Sequence, residues 1–90
     1  LMNITVSKVE ESGQEVLVKS STYEDDKAVG IYNRLTDEYA DQTLPFFDEG
    51  EQLIRLDIVP EQETDEDNKE QKECYFEFSE PLLEELSGHI

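Results

Sequence analysis

Apolar and polar residues alternate over residues 2–9, MNITVSKV, with Met2, Ile4 and Val6 on one side and Asn3, Thr5 and Ser7 on the other. A period of two is the signature of a half-buried strand. Glu11-Ser12-Gly13 is a turn signal, and residues 14–20, QEVLVKS, then carry Val16, Leu17 and Val18. The two runs read as a β-hairpin in which Gly13 supplies a positive φ.

The period then changes. Ala28, Ile31, Tyr32, Leu35 and Tyr39 recur at spacings of three and four, which predicts a helix over about residues 22–42. Ser21-Thr22-Tyr23-Glu24 fits a capping box, and Glu24, Asp25 and Asp26 fall in the first turn, where the helix dipole favours acids. Gly30 opposes the helix by ~1 kcal/mol relative to Ala, and a strand through AVGIY is the alternative. Leu44-Pro45-Phe46-Phe47 reads as a loop laying large apolar groups over the core, and Asp48-Glu49-Gly50-Glu51 turns the chain.

Alternation returns at residues 52–59, QLIRLDIV, with Ile54, Leu56 and Ile58 inward and Arg55 and Asp57 outward. It recurs at residues 73–78, ECYFEF, which places Cys74, Phe76 and Phe78 on one face. Pairing these two strands makes residues 60–72 an acidic hairpin connection. Ser79 then caps a short helix, with Pro81 in its first turn, Leu82, Leu83 and Leu86 as its apolar face and Gly88 at its end. The order β-β-α-β-β-α predicts one α+β domain over residues 1–90. Its simplest packing is a four-stranded, mainly antiparallel sheet, with the long helix across one face and a short C-terminal helix.

Charge changes this picture most. The chain has 24 acids against 7 bases, a formal net charge of −17. Such a charge opposes folding by self-repulsion, excludes unassisted nucleic-acid binding and favours a basic partner or simple solubility. Residues 60–73, PEQETDEDNKEQKE, hold seven acids and two lysines, yet −12 remains on the other residues. The excess is spread over the fold. Apolar content of 36% is low but patterned, so folding is expected. Cys74 is the only cysteine, which rules out an internal disulfide and fits a reducing cytosol. Met2 reads as the native start, and neither a signal peptide nor a membrane-spanning run is apparent.

Known chemistries find little footing. Asp65-Glu66-Asp67 resembles the opening of a calcium loop, but Lys69, Glu70 and Phe76 fall where an EF-hand needs a ligand, a glycine and a glutamate. One cysteine and one histidine, Cys74 and His89, do not make a zinc site. No nucleophile elbow or phosphate loop appears, and Cys74 shares a face with Phe76 and Phe78, so it reads as core. The aromatic residues lack the basic groove that base stacking requires. The chain is therefore expected to be non-enzymatic, with no cofactor and no metal.

The acids remain, as a surface. Asp26, Asp37 and Asp41 fall opposite the apolar stripe of the predicted helix, with Asp37 and Asp41 one turn, about 6 Å, apart. Asp48, Glu49 and Glu51 form a second cluster. Glu61, Glu63, Asp65, Glu66, Asp67 and Glu70 form a third, in the hairpin connection. An outward acid is ordinarily just solvated, but so many without opposing bases cost stability, which points to partner binding.

In size, charge and spread of acids the chain resembles the phage-type DNA-mimic proteins, small acidic inhibitors that occupy the nucleic-acid site of a host protein. The resemblance is one of physical character over the whole chain, with no shared motif. It implies a basic nucleic-acid-binding partner, such as a nucleoid protein, a restriction or CRISPR nuclease or a polymerase, in the cytoplasm of a bacterial host. The competing expectation is a small acidic adaptor, such as an antitoxin, immunity protein or secretion chaperone, using an apolar patch at Leu44–Phe47 or the C-terminal helix. A homodimer formed by an edge strand is open on either expectation.

Overall fold

A computed structural model describes residues 1–61 and 71–90. The acids Glu63, Asp65, Glu66, Asp67 and Glu70, and the calcium-like Asp65-Glu66-Asp67 start, lie outside the described residues.

The alternating runs form four strands: β1 (Met2–Val9), β2 (Glu15–Tyr23), β3 (Leu53–Pro60) and β4 (Lys72–Glu77). They make one antiparallel sheet in the order β2-β1-β3-β4. Helix α1 (Asp25–Glu38) follows β2, and helix α2 (Glu80–Gly88) follows β4. The predicted α+β architecture, β-β-α-β-β-α, is the one observed.

The β1–β3 register pairs Ile4 with Ile58 and Val6 with Leu56. The β3–β4 register adds Cys74 beside Leu56 and Phe76 beside Ile54. Paired residues share a face, so these side chains form one apolar sheet surface. Ala28, Tyr32, Leu35 and Tyr39 cover it from the α1 segment, and Leu82, Leu86 and Ile90 from the α2 end. Each fully buried Leu, Ile or Phe here contributes about 1.5–3 kcal/mol. The opposite face carries Asn3, Thr5, Ser7, Arg55, Asp57, Glu73 and Tyr75, and no helix of the described residues lies on it.

Three local expectations need correction. The predicted helix starts too early, because Ser21, Thr22 and Tyr23 belong to β2 and pair with Ile4, Asn3 and Met2. Thr22 donates its hydroxyl proton to Asn3 Oδ1 across that pair. The Thr22 hydroxyl is thus held by the sheet, and Glu24 caps α1 without a side-chain bond. The helix also stops early. Residues Ala40–Gln42 tighten into a 3-10 turn, closed by Thr43 Oγ1 donating to Ala40 O at 2.7 Å. Asp41 lies in that turn, so it is not one α-helical turn beyond Asp37.

Leu44–Phe47 does not lie over the core. Leu44 N–H donates to Tyr75 O at 2.8 Å, and Thr43 bridges to Phe76, so this segment runs along the outer edge of β4. Phe47 stacks on Tyr75 at 4.8 Å between ring centroids, and Phe46 is 88% exposed. Gly88 is the last residue of α2, as expected, although its φ lies outside the left-handed region. The expected start of α2 does hold, with Ser79 Oγ accepting from Leu82 N–H at 3.2 Å.

Strand β2 is an edge. Val16, Leu17 and Val18 are exposed, whereas Tyr23 at the other end of the strand packs against the core. Its pairing with β1 slips between Val6 and Ser7, leaving Val18 without a partner. Such a bulge twists an edge and disfavours strand addition.

The glycines give paired stability predictions. Gly30 sits in α1 with open space where a Cβ would go. Gly30→Ala should raise stability by about 0.5–1 kcal/mol. Gly13 also has open space but turns the β1–β2 hairpin at φ +89°. Gly13→Ala should lower stability by about 1–2 kcal/mol. Urea denaturation of the two variants reads both signs.

Candidate functional site

The β1–β3 register places Val9 beside Leu53 at one end of the sheet. The residues following Val9 are therefore neighbours of those preceding Leu53, although some forty positions separate them in sequence. The β1–β2 turn brings Glu10, Glu11 and Glu15, and the segment before β3 brings Asp48, Glu49 and Glu51. Between them lies an open cleft of about 690 Å³. Its apolar lining comes from Val9, Phe47, Leu53 and Tyr75.

Both walls are built by glycine turns. Gly13 and Gly50 each have φ +89°, a conformation that costs other residues steric strain. Glu10 N–H donates to Gln14 O at 2.8 Å and Gly13 N–H to Glu10 O at 2.9 Å. On the other wall, Asp48 N–H donates to Glu51 Oε2 at 2.9 Å. Among the described residues, six carboxylates thus line one cleft, and no Lys or Arg lines it. Glu10 has a cation beside it, Lys8 Nζ at 3.5 Å, and Glu15 has Arg55 Nη1 at 3.4 Å. Glu11, Asp48, Glu49 and Glu51 have no ion pair among the described residues.

Beside the cleft, on the helix-free face, Arg55 is held by three carboxylates. Nη1 lies 2.8 Å from Asp57 Oδ2, Nη2 lies 2.7 Å from Glu73 Oε2, and Nε donates to the same Glu73 oxygen at 3.1 Å. Burial works against the guanidinium charge, but Glu73, Asp57 and Glu15 outweigh it and raise its pKa. Asp57 is only 7% exposed, and its Oδ1 has no hydrogen-bond partner among the described residues. Burial pushes its carboxyl above the ordinary value, Arg55 pulls it back, and Glu15 and Glu73 push it up further. On the other face, burial and nearby acidic groups push Tyr32 up to about 12, and burial raises the Cys74 thiol. Cys74 accordingly fits a core thiol rather than a nucleophile.

The structure divides the acids singled out from sequence. Asp48, Glu49 and Glu51 come together at the cleft. Asp26 and Asp37 stand exposed on the outward side of α1, across the sheet from the cleft lining. Asp41 is exposed in the 3-10 turn, and Glu61 is exposed just beyond β3, its N–H donating to Leu1 O. None of these four has an ion pair among the described residues. Glu10, Glu11 and Glu15 were missed, because each looked like an ordinary solvated hairpin acid. The alternation of residues 2–9 and 52–59 marks two strands, but only their observed register brings the turn and the DEGE segment together.

Among the described residues no group of three His, Cys, Asp or Glu side chains is placed to hold a metal ion. The cleft acids line an opening rather than converge on a point. No protein-family model, curated protein or solved structure matches this chain.

Asp57 supplies a pH prediction. Its folded pKa is raised, so between the ordinary carboxylate value and the folded value the folded state binds more protons than the unfolded one. In that window stability from this group rises as pH falls, and it is lost as pH rises through the folded pKa. Asp57→Asn should therefore shrink the stability gained between about pH 7 and about pH 4.5, with chemical denaturation as the measure.

Proposed function

We propose that this chain is a non-enzymatic acidic protein that binds a basic, nucleic-acid-binding protein and occupies its nucleic-acid site. The supporting observation is the set of exposed carboxylates without bases: Asp26 and Asp37 on α1, Asp41 beyond it, Asp48, Glu49 and Glu51 at the cleft, and Glu61 at the end of β3. A basic groove gains affinity for a polyanion by releasing counterions, and a rigid acidic protein can use the same groove. The overall dimensions of 37 × 24 × 21 Å are compatible with this. The long axis is close to one turn of B-form DNA, ~34–36 Å.

The absent nucleophile, metal and phosphate motifs are why an interaction protein is preferred to an enzyme. No helix among the described residues is long and apolar enough to cross a membrane. The partner proposed is a nucleoid protein, a restriction or CRISPR nuclease or a polymerase, met in the cytoplasm of a bacterial host.

A second reading, the acidic adaptor with an apolar patch, is favoured by one observation: Phe46 is 88% exposed beside the half-exposed Phe47. Salt separates the two. Partners held by charge should weaken at least about tenfold between about 50 and about 200 mM salt and be displaced by duplex DNA. The measurement is capture from a bacterial lysate followed by titration of the purified partner. A partner that neither salt nor DNA displaces removes the mimicry proposal and leaves the adaptor.

A further inference from the structure

The cleft has a second property besides its charge: its floor is apolar and partly aromatic. Phe47 and Tyr75 stack there, with Val9 and Leu53 alongside. An acidic surface that only imitated phosphates would have no use for such a floor. Its volume of about 690 Å³ falls within the ~300–1,000 Å³ typical of binding clefts. The rim acids are divided between two walls and do not converge as metal ligands among the described residues. That arrangement suits an extended occupant with several positive charges, not a single ion.

We propose that this cleft is a docking site for an arginine-rich peptide segment of the partner that carries one apolar side chain between its cations. The apolar side chain packs on Phe47 and Val9, the parts of the apolar lining that remain exposed. A flanking guanidinium lies over the exposed part of the Phe47–Tyr75 pair, where an aromatic face attracts a planar cation. The outer guanidiniums meet Glu11 on one wall and Glu49 and Glu51 on the other. Arginine fits better than lysine, because its planar fork can engage a carboxylate while stacking on a ring. The site rests on the reading above only in taking the partner to be a basic protein. It assigns the specific contact to the cleft and leaves the α1 acids to long-range attraction.

The test uses the whole chain and a labelled pentapeptide of four arginines around a central leucine, followed by fluorescence anisotropy at low salt. Two variants each remove three negative charges: Glu11→Gln/Glu49→Gln/Glu51→Gln in the cleft and Asp26→Asn/Asp37→Asn/Asp41→Asn outside it. Glutamine at position 51 keeps an oxygen for the Asp48 N–H, and circular dichroism checks folding. The cleft variant should bind at least about tenfold more weakly, while the outer variant changes by no more than about twofold, since a screened distant charge contributes little. Replacing the central leucine by serine, or Phe47→Ala in the protein, should each weaken binding by about fivefold. Equal losses in the two charge variants would mean diffuse attraction and overturn the site, as would indifference to the leucine. Failure of the mimicry reading looks different: the peptide result stands, but DNA does not displace the natural partner.

Discussion

The antiparallel pairing of β1 with β3 is the constraint on which the rest of this structure depends. It joins the first strand to one that begins more than forty residues later, so its loop-closure cost must be met by what the pairing buries. What it buries is the centre of the core, since Ile4 meets Ile58 and Val6 meets Leu56 beneath α1 and α2. The same register decides the chemistry on the reverse face. A period-two strand that places Leu56 and Ile58 inward must place Arg55 and Asp57 outward. It also decides which loops meet, because Val9 and Leu53 close the ladder at one end. A one-residue slip would bury Arg55 among aliphatic side chains and separate the two walls of the cleft. Core, ion cluster and cleft therefore share one cause.

Carrying −17 on 90 residues is a problem the fold addresses locally. Its central strands hold few acids. β1 has none, and β3 has Asp57 alone, next but one to Arg55. Arg55 gathers Asp57, Glu73 and Glu15 from three strands, so the most crowded carboxylates share the one guanidinium able to reach all of them. Among the described residues, Asp26, Asp37, Asp41, Asp48, Glu49 and Glu51 stand exposed on α1, in the 3-10 turn and in the segment before β3, where water screens them. Asp57 is the exception. It is buried, with one oxygen unbonded among the described residues, and its pKa is raised first by that burial and then by the neighbouring Glu15 and Glu73, against the pull of Arg55.

Much of the architecture was legible in the sequence, because the strands and helices announce themselves by period. The alternation of MNITVSKV and QLIRLDIV marks strands, and the three-and-four spacing of Ala28 to Tyr39 favours a helix over the alternative strand through AVGIY. What misled was local chemistry that tertiary pairing overrides. Ser21-Thr22-Tyr23-Glu24 does suit a helix start, but pairing with Ile4, Asn3 and Met2 offers those backbone groups a full ladder instead. Leu44–Phe47 looked like a lid because its side chains are large and apolar. Its backbone instead borders β4 at Tyr75 and Phe76, which turns Phe46 to solvent. The candidate site was half legible. Asp48, Glu49 and Glu51 stood out as a run, while Glu10, Glu11 and Glu15 acquire meaning only from a register that no local pattern encodes.

Charge count and charge placement lead to different views of such a surface. By count, every exposed carboxylate contributes alike, and the outward acids of α1 are as good a candidate as any. By placement they differ, because a screened charge on a convex helix gives attraction without orientation. The cleft acids are fixed by two glycine turns around apolar side chains, so a cation there loses water on one side while meeting a carboxylate on the other. Electrostatic interactions strengthen as water is excluded. The aromatic floor adds contacts that bulk solvent does not match. If a partner is chosen rather than merely attracted, the walls at Glu10–Glu15 and Asp48–Glu51 are where this chain has the geometry to choose it. The acids of α1 would then raise the rate of encounter and have little part in its specificity.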